Sequence, residues 1–524
     1  MFSLLAQLLV HNEERTSWET FSKLPFIIEA SNVKEGNFSK SQKPPQSDST
    51  FENKEWSYHD FLSLVYSLRE EIGTKVQRVN SPTKQKPHVG LCLGPYATSF
   101  ALLAALDSLR WEVTLLPETI SSELLATLTQ NLDLFHIFTP EKIAELVRAA
   151  QGSRPLNFDG YREIAETYLE SPIGHGVTIP TSATSGKAKL RRQTWHTLSL
   201  PARETAYANT ASPFPRYQVT KEPAPRWLLT YRPHLYAGLQ VVLQVLATGS
   251  TLLLSGSLDS LSHQLMWGGL NSVTHLSATP SFFRQGLFLG LFEQGEWPLR
   301  QLTLGGEIVD QPLLDRLSEK FPQARKTHIY ATTETGRLFA VNDGLAGFPT
   351  RYLTELPMKK EAQPKVKIKI DEDELFAKTD RLATQSDSSA SLADAEGWYA
   401  TGDLVEICGE RVYFLGRKSE TINIGGNKVQ PARLEAIFRE LDYISDIKIY
   451  PKKSSLVGNL LAAEVVLTEE ATTNFGERNR VQNMLETFCQ KNLASYERPR
   501  FWGFVSQIEL TDAQKKKRAN ENDS

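Results

Sequence analysis

The chain has 524 residues, enough to bury large cores, and its length predicts two or more domains. Hydrophobic residues make up 40% and charged residues 23%, as in ordinary globular proteins, and a formal net charge of −3 argues against a nucleic-acid binder. The cysteines Cys92, Cys408 and Cys489 are too far apart for a disulfide framework or a metal site, which favours a reducing cytoplasm, and the ten histidines show no metal-binding spacing.

The first apolar run, at residues 2–10, is too short to span a bilayer, and no Lys or Arg precedes it. We expect a short core helix there rather than a signal peptide. We find no stretch of transmembrane length, and we therefore expect a cytoplasmic protein.

Strand-like and helix-like segments alternate as far as residue 334. The predicted strand–helix–strand units are 88–94, 99–109 and 112–117, then 226–231, 238–249 and 250–255, then 300–307, 311–320 and 327–334. Such alternation predicts layered α/β sheets with mostly parallel strands. Polar segments at 31–54, 79–87 and 380–396 interrupt the pattern and are predicted to be surface excursions.

The character of the chain changes after Gly416. A helix at 431–441, strands at 446–450 and 460–468, and a helix at 476–493 predict a compact α+β segment. We therefore predict a large N-terminal domain at 1–416 and a small C-terminal domain at 417–524.

The segment 180–189, PTSATSGKAK, combines small hydroxyl residues, a glycine and two lysines. Open backbone N–H groups with cations nearby suit the phosphates of a nucleotide. It is not a Walker P-loop, because Thr181 and Ala188 stand where that motif needs Gly and Ser or Thr. Taken alone, such a run is more often a solvated loop.

Two carboxylates follow as candidates. Glu334, in the segment 330–336 (YATTETG), ends a predicted buried strand, where a carboxylate can hold Mg²⁺ against phosphates or simply cap a helix. Asp403, in the segment 397–403 (GWYATGD), can accept two ribose hydroxyls, although a Gly-Asp pair more often satisfies its own turn.

Two further motifs lie in the C-terminal part. The segment 416–431 (GRKSETINIGGNKVQP) begins with a Gly-Arg pair that can anchor a nucleotide at a domain junction or lie beside a hairpin. The segment 510–518 (LTDAQKKKR) is basic, and basic tails are usually solvated ends.

In this order and at these separations, the motifs resemble those of the superfamily of adenylate-forming enzymes, which contains acyl-CoA and aryl-CoA synthetases, peptide-synthetase adenylation domains and firefly luciferase. The resemblance runs from about residue 56 to Arg518. It implies an α/β fold, with a large domain of layered sheets and a small β-barrel-like part, followed by a small mobile α+β lid.

The resemblance also implies an AMP-forming acid–thiol ligase of the acyl-CoA synthetase type. A carboxylic acid would attack the α-phosphate of ATP, giving acyl-AMP and pyrophosphate, and a thiol would then displace AMP. ATP, Mg²⁺ and CoA would take part, with the phosphopantetheine of a carrier protein as the alternative acceptor.

Site residues follow from the resemblance position by position. Lys515 would be the adenylating lysine, Glu334 would hold Mg²⁺, and Arg417 would assist Asp403 at the ribose. The other implied positions are Thr181, Ser182, Thr184, Ser185, Gly186, Lys187 and Lys189 at the phosphates; Gly305, Gly306, Glu307 and Tyr330 along the adenine slot; Thr333, also at the ATP; Ser419 at the hinge; and Gly425, Gly426 and Lys428 at the thiol step.

The chain departs from the family pattern at several positions. Ala183, Ala331 and Gln514 replace glycines, and the last of these leaves Lys516 and Lys517 as alternative registers for the catalytic lysine. Leu235 falls where many relatives carry a histidine, with His234 beside it.

The acid is less defined than the nucleotide. An acyl pocket would draw on the segments 235–238, 274–282 and 305–333, and Tyr236, Phe282 and Phe283 favour an apolar aromatic or fatty acyl group. The segment 180–195 also resembles the phosphate loop of 2-succinylbenzoate-CoA ligases. A non-catalytic adenylate-binding homologue is the competing class, whereas an oxidoreductase is excluded because no GxGxxG follows a predicted strand.

Overall fold

The computed structural model describes residues 1–2, 4–6, 22–31, 52–78, 87–121, 125–126, 128, 132, 134–150, 158–169, 174–181, 189–209, 223–356, 366–385, 391–454, 458–468, 471–472, 478–511 and 515–516. All structural statements concern these residues.

Helices and strands alternate through most of the chain. The helices are α1 (Tyr58–Arg78), α2 (Ala97–Ser108), α3 (Pro140–Ala150), α4 (Phe158–Leu169), α5 (Trp195–Asn209), α6 (Tyr236–Thr248), α7 (Leu261–Leu270), α8 (Pro280–Phe288), α9 (Gln311–Lys320), α10 (Pro431–Arg439) and α11 (Arg478–Asn492). The strands are β1 (Pro25–Ser31), β2 (Glu52–Ser57), β3 (His88–Cys92), β4 (Glu112–Leu116), β5 (His136–Phe138), β6 (Gly176–Thr181), β7 (Lys189–Thr194), β8 (Arg226–Leu229), β9 (Thr251–Leu254), β10 (His275–Ala278), β11 (Gln301–Gly305), β12 (Arg325–Thr332), β13 (Gly336–Val341), β14 (Phe348–Pro349), β15 (Lys367–Asp371), β16 (Glu374–Lys378), β17 (Thr384–Gln385), β18 (Tyr399–Cys408), β19 (Arg411–Arg417), β20 (Ile422–Ile424), β21 (Asn427–Val429), β22 (Ile444–Ser454), β23 (Gly458–Leu467) and β24 (Phe501–Phe504).

Two mostly parallel sheets form the large part of the molecule. One has the order β13-β12-β11-β10-β8-β9-β1-β2, and all its pairs are parallel except those of β2 and β13 at the edges. The other has the order β17-β7-β6-β4-β3-β5, with a parallel core from β6 to β5. The predicted strand–helix–strand units supply strands to both sheets.

Apolar helices pack between and against these sheets. Almost every residue of α2 is buried, as expected for a helix that is apolar on all sides. Its Phe100 and Leu103 share one core cluster with Phe61 of α1 and Leu243 of α6, all with no exposed surface. A second cluster joins the strands β10 and β11 to α8 and α9.

A five-stranded antiparallel sheet, β14-β19-β18-β16-β15, has its own apolar cluster around Phe348 and Val405. It corresponds to the small β-barrel-like part that we predicted. Asp403 and Arg417 are paired across β18 and β19, so this sheet supplies two of the predicted site residues.

The C-terminal part combines the sheet β22-β23-β24, the hairpin β20-β21 and the helices α10 and α11. Its cluster, with Leu434, Phe438, Ile447 and Leu485, is drawn only from residues after 421. A separate core supports the predicted division into 1–416 and 417–524, which stays a prediction.

The segment 380–396 is not only a polar excursion, as its composition predicted. Thr384 and Gln385 form β17 and pair with β7, and Arg381 is only 1% exposed. The reason is an ion pair of Arg381 with Glu204, which a reading of local composition does not detect.

The other predicted surface segments, 31–54 and 79–87, lie largely outside the described residues. In the run at residues 2–10, the described residues Phe2, Leu4 and Leu5 are helical and buried. None of the helices in the described ranges is long and apolar enough to cross a membrane.

Candidate functional site

Asp403 lies at the centre of a charged cluster beside β12. Its Oδ2 accepts a hydrogen bond of 2.5 Å from the hydroxyl of Tyr330, and its Oδ1 lies 2.8 Å from Nε of Arg417. Arg417 also donates from Nη1 to the carbonyl of Thr401 at 3.0 Å. The structure thus brings together three of the residues that the sequence assigned to the nucleotide.

The strand geometry explains how these groups meet. Tyr330 is near the end of β12, its ring packed between those of Phe339 and Phe414 at centroid distances of 5.2 and 4.9 Å. Gly402, with φ of +74°, turns the chain just before Asp403 in a conformation that favours glycine. Tyr330 is therefore held by packing, which fixes its hydroxyl on Asp403.

Burial and charge oppose each other at this carboxylate. Burial raises the pKa of Asp403, while Arg417 and the hydroxyl of Tyr330 act in the opposite direction. Burial lowers the pKa of Arg417, but Asp403, Tyr330 and Glu334 together more than offset it and leave that pKa above its usual range. We take Arg417 as the charged partner that keeps Asp403 a hydrogen-bond acceptor.

Glu334 is ion-paired with a residue that the sequence reading missed. Nε of Arg191, on β7, lies 3.1 Å from Oε1 of Glu334, whose side chain is 17% exposed. The neighbouring Gln193 donates to the carbonyl of Thr333 at 2.9 Å. The strand that follows the phosphate loop therefore holds the turn that carries Glu334.

Tyr399, on β18, is a second residue that sequence reasoning missed. Burial, and then the charge of Glu334, raise the pKa of its hydroxyl above the usual value. The charge of Asp403 also raises this pKa, whereas the charge of Arg417 lowers it. The only sequence signal was its place in the segment 397–403, two residues after the turn glycine.

The candidate phosphate loop joins two paired strands. Thr181 ends β6 and Lys189 begins β7; they are register partners, and Oγ1 of Thr181 donates to the carbonyl of Lys189 at 3.2 Å. Ser182, Ala183, Thr184, Ser185, Gly186 and Lys187 lie outside the described residues. Strand pairing thus holds the two ends of the loop next to each other, two residues before Arg191 on β7.

Lys515 comes from the C-terminal part and lies beside Gly306. We call the space around its side chain, which Glu307, Asp403 and Arg417 also border, the cleft. Cε of Lys515 lies 3.4 Å from the position that a Cβ on Gly306 would occupy, and Gly306 has φ of +85°. Desolvation, followed by the positive charge of Arg417, lowers the pKa of Lys515, while Glu307 and Asp403 act in the opposite direction. The side chain is nevertheless exposed, so we infer that solvent still reaches the cleft.

Glu307 holds the backbone on both sides of this cleft. Its Oε2 accepts from the backbone N–H of Ser281 at 2.9 Å, and its Oε1 accepts from the N–H of Lys516 at 3.1 Å. Glu307 thus anchors the segment that carries Lys515, whereas the resemblance had implied a position along the adenine slot. Gly305 lies beside it, its carbonyl 3.4 Å from the Tyr231 hydroxyl.

The structure distinguishes two of the three alternative lysines. Nζ of Lys516 is buried, 2.6 Å from Oδ1 of Asp446, and it cannot reach the cleft while it keeps this ion pair. Lys515 faces the cleft instead. Lys517, like Gln514, lies outside the described residues.

The candidate thiol-side loop is the turn of the hairpin β20-β21. Gly425 and Gly426 have φ of +56° and +88°, and the N–H of Gly426 bonds Oδ1 of Asn423 at 3.0 Å. No described atom lies within 4 Å of a Cβ built on either glycine, and Lys428 is exposed. Within the described residues, therefore, Lys515 and not this turn enters the cleft. Ser419, the predicted hinge residue, lies in the short 3₁₀ turn Lys418–Glu420, between Arg417 and this hairpin in the sequence.

The acyl side is only partly as predicted. Phe282 and Phe283 are fully buried in the core behind α8, so they fill that core and line no open pocket. Tyr236 begins α6, and its hydroxyl lies 3.2 Å from the Cβ position of Gly336, just after Glu334. His234 is also buried. Tyr236 is buried as well, and among the described residues its link to the site is this contact of its hydroxyl with the strand that follows Glu334.

No group of three or more His, Cys, Asp or Glu side chains that could hold a metal ion occurs among the described residues. Oε1 of Glu334 is paired with Arg191, and the described residues donate no hydrogen bond to its Oε2. One protein carboxylate is enough for Mg²⁺ where phosphate oxygens and water supply the other ligands.

No family model matches the sequence. Similarity to curated proteins is distant: the chain is 26% identical over 226 residues to a 4-coumarate–CoA ligase-like protein of Oryza sativa, covering 40% of this chain and 39% of that one. It is 22% identical over 481 residues to the 2-succinylbenzoate–CoA ligase of Bacillus pumilus, covering 87% and 91%. The chain therefore spans less than half the length of the first relative and most of the second.

Solved structures share the fold over almost the whole chain. The anthranilate CoA ligase AuaEII in complex with anthranoyl-AMP matches with a TM-score of 0.67 at 14% identity, over 88% of this chain and 91% of that one. MenE from Bacillus subtilis, in complex with ATP and magnesium ion, matches with a TM-score of 0.61 at 18% identity, over 88% and 93%. These likenesses extend through both the large part and the C-terminal part of the fold.

Proposed function

We propose that this protein, which belongs to the adenylate-forming superfamily, is an ATP-dependent acid–thiol ligase of the acyl-CoA synthetase type. The observation that carries the proposal is that Lys515, from the end of the chain, meets the pair of Asp403 and Arg417, from the five-stranded sheet, at one cleft beside Gly306.

The residues fit a nucleoside triphosphate. Oδ2 of Asp403 accepts one hydrogen bond from Tyr330, and Oδ1 forms an ion pair with Arg417. A carboxylate has about four acceptor sites, so Asp403 retains capacity for the paired ribose hydroxyls. Arg417 keeps the charge of Asp403 compensated. The hairpin between Thr181 and Lys189 is where the β- and γ-phosphates would bind.

Glu334 is the residue that would hold a magnesium ion through its Oε2. Bound there, Mg²⁺ would neutralise phosphate charge and so help pyrophosphate to leave. Arg191 fixes the orientation of this carboxylate through its other oxygen.

In the first step, an oxygen of the substrate carboxylate attacks the α-phosphorus of ATP, and the bond from that phosphorus to the bridging oxygen of pyrophosphate breaks. The two reactants are both anions. The ammonium group of Lys515 would offset their repulsion and stabilise the charge that builds on the phosphorus, a contribution on the order of 3–4 kcal/mol.

In the second step, a thiolate attacks the acyl carbon of acyl-AMP, and AMP leaves. The turn at Gly425 and Gly426, with Lys428, is proposed to serve this step after the small domain rotates about Ser419. CoA is the proposed acceptor, and a carrier-protein phosphopantetheine is the alternative.

The acid class is proposed from the relatives and from Tyr236. The relatives' names refer to 4-coumarate, 2-succinylbenzoate and anthranilate, all aromatic acids. The hydroxyl of Tyr236 lies beside Gly336. Aromatic acids are therefore the first class to test, and fatty acids are the second. We also propose a cytoplasmic location, which the three free cysteines support.

The test is to incubate the protein with ATP, Mg²⁺ and a panel of aryl, fatty and short acids, with and without CoA, and to identify the products by mass spectrometry. The proposal expects acid-dependent AMP and pyrophosphate, and acyl-CoA when CoA is present. Acyl-AMP that accumulates whether or not CoA is present would favour the carrier-protein acceptor. Protein that binds ATP but yields no acyl-AMP with any acid would favour a non-catalytic homologue.

A further inference from the structure

Six charged side chains form one buried network where the C-terminal part packs on the large part. Each is less than 10% exposed. They are Arg284 and Asp310 from the large part, and Glu435, Arg439, Asp446 and Lys516 from the C-terminal part.

Arg439 is the side chain that crosses between the two parts. Its Nη1 lies 3.2 Å from Oδ2 of Asp310, and Asp310 is also paired with Arg284. Within its own part, Arg439 reaches Asp446 with Nε at 3.1 Å and Glu435 with Nη2 at 3.2 Å. Every nitrogen position of this guanidinium thus faces a carboxylate, which matches the rigid fork of arginine.

Lys516 joins the same network from the C-terminal segment. Its Nζ lies 2.6 Å from Asp446 and 3.7 Å from Glu435, and it donates to the carbonyl of Ile447 at 2.5 Å. Its backbone N–H meanwhile bonds Glu307 of the large part. A buried side chain and a backbone bond therefore fix the residue that directly follows Lys515.

The charges of the network cancel on each side of the contact. Arg284 balances Asp310 in the large part, while Arg439 and Lys516 balance Glu435 and Asp446 in the C-terminal part. A buried charge without a partner is strongly unfavourable. Because each half is neutral, the two halves can separate without leaving such a charge on either surface.

We propose that this network is a releasable clamp in which Arg439 and Lys516 are positioning residues for Lys515. The clamp holds the C-terminal part where Lys515 enters the cleft, and its balanced halves let that part rotate away for the thiol step. The role given to Lys515 rests on the proposed function, whereas the clamp itself rests on the contacts alone.

The variant Asp310→Asn tests the clamp. Oδ1 of Asp310 accepts from the N–H of Leu313 at the start of α9, and Asn caps helices equally well, so the helix start is preserved. The substitution removes the one negative charge of the large part that Arg439 contacts in this network. The double variant Arg284→Gln with Asp310→Asn also keeps the large half neutral, which guards against misfolding around an unpaired Arg284.

Hydrogen–deuterium exchange supplies a readout that needs no substrate. In both variants we expect the backbone amides of 508–516 to exchange faster, while those paired in β22 and β23 keep the exchange rate of the unmodified protein. The control is Glu464→Gln, which removes a carboxylate paired with Lys448 at 2.9 Å inside the C-terminal part. Unchanged exchange of 508–516 in both variants overturns the clamp.

Half-reaction rates supply the second readout. We expect acyl-AMP formation to slow about 10- to 100-fold, as for a displaced catalytic group, and the reaction of added acyl-AMP with CoA to be unchanged. Equal slowing of both half-reactions overturns the positioning role. If the unmodified protein forms no acyl-AMP, the proposed function fails, and the exchange experiment still decides the clamp.

Discussion

The hydroxyl of Tyr330 determines how Asp403 is presented to the cleft. The ring is packed between Phe339 and Phe414, so its position does not depend on the hydrogen bond. The bond to Asp403 is short, and the acceptor is a buried carboxylate. Removing the hydroxyl should therefore affect the carboxylate and leave the fold intact.

For Tyr330→Phe we expect ATP binding to weaken about 10-fold, because a hydrogen bond to a charged group contributes about 1.5 kcal/mol or more. Isothermal titration calorimetry measures this directly. The matched control is Tyr352→Phe, whose hydroxyl is 3.4 Å from the carbonyl of Ala340 in the same region and does not contact Asp403. Equal affinity of both variants for ATP would contradict the role of Tyr330.

The buried side chain of His275 makes the stability of the fold depend on pH. Burial, and then the charges of Arg300 and Arg325, lower the pKa of its imidazole from 6.5 to about 4. The folded state therefore favours the neutral ring. Above pH 6.5 the ring is neutral in both states and does not reduce the free energy of unfolding. As the pH falls from 6.5 to about 4, that free energy decreases, because the unfolded state binds the proton first.

We expect His275→Asn to reduce the fall in melting temperature between pH 7 and pH 5, because the protonation that opposes folding is removed. Over this pH range the protonation of His275 costs about 2 kcal/mol of the free energy of unfolding at most, because each pH unit below 6.5 costs about 1.4 kcal/mol. Differential scanning fluorimetry at both pH values measures the slope, with the exposed His59→Asn as the control. A slope unchanged from that of the control would refute this assignment.

At the scale of elements, the sequence predicted the parallel strands and their helices, because apolar runs of the right length stood between turn residues. It also predicted a strand that ends beside Glu334, which agrees with β12 and its Tyr330. It treated 397–403 as a turn, whereas Asp403 lies inside the strand β18. It did not predict the ion pair of Glu334 with Arg191, since 143 positions separate the two residues and nothing local marks their contact. The short strand β17 was missed because its sequence is polar and its pairing is with distant β7.

The hairpin turn at Gly425 and Gly426 is an element whose role can be separated from that of Lys515. For Gly426→Ala, φ of +88° imposes a backbone strain of about 1–2 kcal/mol, and the open space around the turn excludes a clash. We expect slower reaction of acyl-AMP with CoA, about 5- to 30-fold, and unchanged acyl-AMP formation.

Single-turnover assays of each half-reaction measure this difference. The matched control is Gly458→Ala, since Gly458 has φ of +79°, lies in the hairpin of β22 and β23 and also has no atom within 4 Å of its Cβ position. Slowing of acyl-AMP formation by Gly426→Ala, or equal effects of both substitutions, would contradict a thiol-side role for the turn.

At the scale of the whole molecule, the C-terminal part packs on the large part with Lys515 in the cleft. The described contacts that hold this arrangement include the pair of Arg439 with Asp310, the bond of Lys516 to Glu307, the pair of Lys418 with Glu374, and a bond of 3.0 Å from Gln285 to the carbonyl of Ile508. None of these was predictable, because each joins segments on opposite sides of the predicted domain boundary. The arrangement suits the first half-reaction of the proposed function.

We propose that Lys515 is needed for acyl-AMP formation and is not needed for thiol transfer. The most direct test measures both half-reactions of Lys515→Ala, with Lys491→Ala as an exposed-lysine control. We expect acyl-AMP formation to fall by about 10²- to 10³-fold, while added acyl-AMP still reacts with CoA at the rate of the unmodified protein. Acyl-AMP formation that survives in Lys515→Ala, or an equal loss of both half-reactions, would contradict this proposal.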